Sequence, residues 1–308
     1  MRSLSTGYLA LTFAQVGISL NVVTSKYLIS SMPMFMLLAT RFGLSAIILG
    51  FVLWLTGTSI IDPHHPQGKL STHDKFLAVL LGLFGAFFFN LFFVWGLQYT
   101  TATAAGIIGS TLPALIAIFS VWLLKERINS SKIIALVLAM LGILIINLDH
   151  FESGSNLEHS YFGDLLVFVA MFPESLFSIV SRKLAGRITP LGGALMANIV
   201  GFVTLLPCAL YTGSFDFTSY GVFEFALIGV AGLGSLVFFW AWAYGLSFIP
   251  ATTAAVFGGV MPVATTLLAI LFLGEKLAWY DSLGMLLVLA SIVIGAGWKL
   301  RAKRAAVT

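Results

Sequence analysis

The sequence predicts an all-α integral membrane protein of ten transmembrane helices, arranged as two inverted five-helix repeats. Three observations predict it. Of 308 residues, 59% are hydrophobic and only 9% are charged, with a mean hydropathy of +1.02; a soluble domain is about 45–50% apolar and about 25% charged. The chain contains ten apolar runs long enough to cross a bilayer. Its second half resembles its first when shifted by 149 residues.

The charge count comes first. Sixteen Lys and Arg and twelve Asp and Glu are too few to cover the surface of a soluble protein of this length. A soluble enzyme, a disordered chain and a nucleic-acid binder are excluded, leaving a protein with little mass outside the bilayer.

A hydrocarbon core about 30 Å thick needs about 20 apolar residues in a helix. The runs that qualify are 7–29, 33–56, 76–98, 101–124, 131–148, 161–183, 190–212, 221–247, 250–273 and 279–298. They are continuous rather than alternating, which excludes a β-barrel. The first is longer than a signal-peptide core and is expected to be retained. The lone cysteine, Cys208, lies inside a span. It has no intrachain partner and says nothing about redox compartment.

Basic residues set the orientation. With the N-terminus inside, thirteen of the sixteen fall on the cytoplasmic side: Arg2, Lys69, Lys75, Lys125, Arg127, Lys132, Arg182, Lys183, Arg187, Lys299, Arg301, Lys303 and Arg304. The opposite loop, 149–160, carries Asp149, Glu152 and Glu158 and no Lys or Arg. Basic loops stay cytoplasmic, so both termini are expected there. The Lys299–Arg304 cluster is expected to meet anionic lipid headgroups.

The repeat organises the rest. Between residues 85 and 145 the 149-residue shift aligns fourteen identical pairs without a gap, among them Gly85/Gly234, Gly96/Gly245, Ala102/Ala251, Thr103/Thr252, Gly109/Gly258, Pro113/Pro262 and Glu126/Glu275. Chance would give about five in so biased a composition. A register near 156 relates the first helix of each half, including Gly7/Gly163 and Ser19/Ser175. Five spans per half is odd, so the second half crosses in the opposite sense. Inverted repeats place a binding site at the midplane between the halves and suit alternating access. The expected division is 1–148 for the first repeat, 149–160 for a periplasmic linker, and 161–308 for the second repeat with its basic tail.

Within the spans a few residues stand out. The fourth and ninth carry small residues at spacings of three and four around Gly109 and Pro113, and around Gly258 and Pro262. Such stripes allow close backbone approach, and a mid-helix proline removes a donor and kinks the rod. Packing and gating are both consistent with this, and Ser110 and Thr111 beside Pro113 are candidate ligand contacts. Glu174 follows Pro173, about 20 Å into the sixth span. An ionisable group there is costly and faces a cavity or a partner, as a proton carrier, a ligand for a substrate amine, or a structural ion pair. Arg41 is the second deep charge; it suits a substrate carboxylate, Glu174 or helix-end carbonyls. Its counterpart in the second half, at an offset near 157, is Asn198. Asn21, Asn90 and Gln15 each need a hydrogen-bond partner. With Trp95, Tyr99, Trp240, Trp242 and Tyr244 they can form an aromatic, amphipathic pocket. The competing reading for the aromatics is an interfacial belt.

Enzyme and metal motifs do not rise above background. All five histidines fall in loops without ligand-like spacing, and there is no P-loop signature. No metal and no cofactor is implied.

Taken in order, four segments resemble a known family. The first helix reads Asn21-Val22-Val23-Thr24-Ser25-Lys26. The second has Pro33, then Arg41-Phe42. Then come Gly96-Leu97-Gln98-Tyr99-Thr100-Thr101-Ala102 with Pro113 and Glu126-Arg127. Last come Gly245-Leu246, Pro250-Ala251, Pro262 and Gly274-Glu275-Lys276. Together with the ten-span duplication these resemble the EamA-type branch of the drug/metabolite transporter superfamily. The resemblance implies a cytoplasmic-membrane transporter that exports amino acids or related metabolites, often coupled to protons. It implies a cavity between helices one, three, four, six, eight and nine, which brings Asn21, Asn90, Glu174 and Trp240 forward. This chain departs from the family pattern at Gly17-Ile18, where a Trp-Gly pair is common, and at Phe172-Pro173-Glu174, where an apolar aromatic stretch is usual. The alternatives are a channel, a nucleotide-sugar or metabolite exchanger of the same superfamily, and a membrane-embedded enzyme. Substrate, coupling ion and oligomeric state are left open by the residues.

Overall fold

Hydropathy alone makes helices the only economical backbone in lipid, because each span must satisfy its own N–H and C=O groups. The computed structural model describes residues 2–28, 32–63, 65, 68–97, 99, 108–146, 161–212, 220–273 and 279–295. The expected linker 149–160, the segment from Ala102 to Ala105, Glu275 and the basic tail lie outside the described residues. Helices occupy all ten expected positions: α1 (Arg2–Leu28), α2 (Met34–Thr56), α3 (Thr72–Gly82), a π-helical segment (Leu83–Phe88) continuing into α4 (Phe89–Leu97), α5 (Leu112–Leu124), α6 (Ser130–Ile146), α7 (Tyr161–Leu184), α8 (Pro190–Tyr211), α9 (Val222–Phe248), α10 (Ala251–Phe257), α11 (Val260–Leu273) and α12 (Trp279–Gly295). Among the described residues there is no strand, only the isolated bridges Ile61–Ile188 and Ala185–Ile188. Five stretches, Met34–Thr56, Thr72–Phe93, Tyr161–Leu184, Pro190–Tyr211 and Val222–Phe248, are long and apolar enough to span a bilayer.

The most extensive helix contacts each join one half of the chain to the other. They are α1 with α9, α12 with α6, α8 with α2, and α4 with α7. Lipid is as apolar as leucine, so what holds such pairs is close packing through small residues. Where α1 crosses α9, a Cβ on Gly234 would lie 2.6 Å from the Gly17 carbonyl oxygen. About three turns along, a Cβ on Gly245 would lie 3.1 Å from the Gly7 carbonyl oxygen. The α4–α7 crossing repeats this contact: a Cβ on Gly96 would lie 3.0 Å from the Gly163 carbonyl oxygen. Gly96/Gly245 and Gly7/Gly163 are the repeat partners, so the same contact is made twice, once from each half. At the centre an aromatic cluster ties three helices. Phe177 on α7 meets Phe239 on α9 at 5.3 Å, and Phe239 meets Phe42 on α2 at 6.0 Å between centroids.

On the face bearing the basic loops, the 57–70 connection is sewn to the turn after α7. Asp62 N–H donates to Arg187 O (3.0 Å), Thr189 N–H to Ile60 O (2.9 Å), and the Thr189 hydroxyl to Ser59 O (2.9 Å). Asp74 anchors the seam. Ser71 N–H and hydroxyl donate to its carboxylate at 3.0 and 2.7 Å, starting α3 with a reciprocal cap. Arg187 Nη1 donates to the other oxygen at 2.5 Å.

Candidate functional site

The fourth and ninth spans are single apolar runs in sequence but are not single helices. The ninth ends α10 at Phe257, turns at Gly258 and Gly259, and restarts as α11 at Val260. The fourth turns at Ser110 and Thr111 and restarts as α5 at Leu112. Pro113 and Pro262 therefore sit in the first turn of a new helix. There a missing N–H costs nothing and a fixed φ helps. The expected kink is a local rewinding: Thr111 and Gly258 keep right-handed helical backbone while the Thr111, Gly258, Gly259 and Met261 N–H groups donate three residues back, because the proline ring crowds the carbonyl four residues back, Gly109 for Pro113 and Gly258 for Pro262. Ser19 of α1 meets the rewound ninth span, donating to Met261 O in the first turn of α11 at 2.9 Å. Thr111 turns its hydroxyl back to Ile108 O at 2.6 Å, and Ser110 is buried.

Two residues singled out separately in the sequence come together. Arg41 Nη1 on α2 donates to Asn21 Oδ1 on α1 at 2.6 Å. Asn21 Nδ2 donates onward to Ser235 Oγ on α9 at 2.7 Å. Arg41 and Asn21 are 7% and 1% exposed, so the guanidinium is buried. Its Nε finds no hydrogen-bond partner among the described residues, and its carbon lies 4.5 Å from the Phe42 ring centroid. Ser45, one turn on, donates to Gly232 O at 2.7 Å. The second half does not reproduce this network. Phe177 stands at the position of Asn21. Asn198 stands at that of Arg41, donating to Ala194 O of its own helix at 2.8 Å.

Glu174 lies on α7 beside Pro173, which sits inside the continuous helix. Its helix neighbours Ala170, Met171, Phe177 and Ser178 are all buried, while Glu174 keeps accessible surface. It makes no hydrogen bond or ion pair with Arg41 or any other residue among those described. An ionisable group inside a span is costly and ordinarily faces a cavity or a partner. Asn90, on α4, donates to Ala86 O at 2.6 Å within its own span. Its neighbour Phe89 packs with Phe92, Phe93, Ile108, Leu112 and Leu115 against Val167, Ala170 and Met171 of α7.

The aromatics divide differently from the sequence reading. Trp240 is 38% exposed and meets Tyr244 in a tilted ring contact at 6.1 Å, on the face of α9 that also exposes Leu233. Trp242 is the buried one, stacked on Phe238 at 6.1 Å with its indole N–H unpartnered among the described residues. Only the position of the α1 crossing distinguishes the two. Sequence reasoning also missed Ser19 and Ser235, each a small hydroxyl inside an apolar run. Small polar residues on a face that crosses another helix are the signal that finds them.

The chain matches the profile of the EamA-like transporter family over residues 5–148 and 161–295. An uncharacterized transporter of Bacillus subtilis (strain 168), YetK, is 29% identical over 289 residues, covering 93% of this chain and 86% of that protein. A protein named S-adenosylmethionine uptake transporter, from Rickettsia felis, is 28% identical, covering 78% of this chain and 75% of its own. A solved crystal structure superposes with a TM-score of 0.77 over 98% of this chain and 99% of that one. It is 18% identical, a likeness of fold.

Proposed function

The chain belongs to the EamA-like transporter family, and from that premise we propose that it is a secondary transporter exporting small polar metabolites, amino acids or related compounds, across the cytoplasmic membrane. The two halves, 1–148 and 161–308, rock about a midplane cavity with both termini in the cytoplasm. Glu174 carries the coupling proton or binds a cationic group of the substrate. The observation that carries this reading is a carboxylate on the inward stripe of α7 with no protein partner among the described residues. A charge so placed is retained at a cost of about 2.5–3.5 kcal/mol or more, and function is the usual reason. The Ser19 contact with the ninth span at Met261 O and the Arg41–Asn21–Ser235 network bring polar groups to the same inter-half region.

Efflux from proteoliposomes under an imposed pH gradient tests it. Glu174→Gln is expected to insert and fold but to lose gradient-driven flux; full coupled transport by this variant overturns the role. Saturation and counterflow separate a carrier from a channel. A second reading, uptake of a cationic amino-acid derivative, is favoured by the relative named for S-adenosylmethionine uptake. Inward counterflow of labelled S-adenosylmethionine decides for it over export.

A further inference from the structure

We propose that the Glu126 carboxylate is a latch that holds the halves together on the face bearing the basic loops, and that its release opens the central cavity to that face. The proposal rests on the transporter reading.

The chain is shaped to deliver this carboxylate. α5 ends at Leu124, and Lys125 takes a left-handed conformation at φ 56°, the only non-glycine residue to do so among those described. Few residues with a Cβ adopt it, and here it swings Glu126 away from its own helix toward α10. Glu126 Oε1 accepts the Ala251 N–H at 2.9 Å. Oε2 accepts the Thr252 N–H at 3.0 Å and the Thr252 hydroxyl at 2.8 Å. The same hydroxyl accepts from Lys132 Nζ on α6 at 2.8 Å. Arg182 of α7 holds the other end of the connection by donating to Leu246 O. The strap from Leu246 to Thr252 is thus gripped by two residues of the first half and one of the second. Beside it lies an open cleft of about 480 Å³ bounded by Leu124, Glu126, Arg182, Ala185, Gly186 and Ser247.

Two kinds of contact join the halves on this face. The seam at 57–70 is built of backbone bonds and a buried Asp74, which suits a pivot. The Glu126 bonds border an open cavity, where water can replace them one for one. Hydrogen bonds to a charged group are stronger than neutral ones when made, and lose most of that advantage when water takes over. A contact with that balance can close firmly and open reversibly, whereas the glycine crossings of α1 with α9 separate only by losing packing.

The test needs no substrate. Ser178→Cys places a thiol one turn from Glu174 on the inward face of α7, where the native serine is buried, and labelling by a membrane-impermeant maleimide is followed at that site and at native Cys208 by mass spectrometry. Labelling at residue 178 is expected to be slow with Glu126 intact and about tenfold faster with Glu126→Ala, a closed-to-open shift of about 1.4 kcal/mol. Glu126→Gln and Thr252→Val, which keep part of the grip, are expected to fall between. If Glu126→Ala does not accumulate, these two carry the same expectation. Equal rates across the series overturn the latch, as does a parallel rise at Cys208, which marks general loosening. Absence of flux with the labelling order intact would sink the proposed function and leave the latch standing.

Discussion

Arg41 donates to Asn21 at 2.6 Å and thereby joins α2 to α1, while Asn21 passes the connection to Ser235 on α9. Three helices from both halves meet at one buried cation. Removing the bridging amide strands that cation. Asn21→Ala is expected to cost about 2–4 kcal/mol of stability in detergent, since a buried charged donor loses its acceptor. Arg41→Met combined with Asn21→Leu is expected to cost less than the two single changes added together. A double-mutant cycle read by thermal unfolding checks this, and strict additivity would contradict the pairing.

Gly234 is expected to tolerate no side chain. Gly234→Ala pushes a methyl into the Gly17 carbonyl at 2.6 Å and should cost about 1–3 kcal/mol, as overpacking does. Gly229→Ala on the same helix meets nothing within 4 Å and is expected to be neutral. Comparing the two unfolding midpoints isolates the crossing from helix propensity.

The glycine crossings show how far the sequence could be read. The pairs Gly7/Gly163 and Gly96/Gly245 stand out as repeat identities, but identity does not say which glycine touches which. The structure answers by setting Gly245 on Gly7 and Gly96 on Gly163. Arg41 and Asn21 were each legible as isolated polar residues in apolar runs. Their pairing was not, because it depends on the rotation of α2 about its axis. The rewound turns at Gly258 and before Leu112 hide inside unbroken hydropathy, since a lipid-compatible composition is the same for a regular helix and a rewound one. The π-helical winding of Leu83–Phe88 leaves no compositional mark. Trp240 and Trp242 lie at similar depth, and only the neighbour that α9 packs against separates them.

At the seam the two ion-pair partners are expected to differ in weight. Asp74 is 1% exposed and also starts α3, so Asp74→Ala should cost about 2–4 kcal/mol. The Arg187 side chain is 46% exposed, where water replaces much of what is lost, and Arg187→Ala should cost about 1 kcal/mol or less. Equal losses in denaturant titrations would contradict the division.

Trp242 is expected to be replaceable in one respect. Its indole N–H has no partner among the described residues, so Trp242→Phe gives up no hydrogen bond and forfeits only packing, about 1–2 kcal/mol. Loss of fold on this change would mean that the N–H has an acceptor in the membrane.

The main helix pairings have a consequence for how such a chain arose. Because α1 rests on α9, α2 on α8, α4 on α7 and α6 on α12, each half finds its principal partners in the other. The unit that was duplicated is therefore not a unit that folds. A precursor gene for one half would have had to work as two copies of a single product, inserted in opposite orientations. Fusion removed the need for one polypeptide to adopt both, and only then could Arg41 and Glu174 each be placed on one side alone.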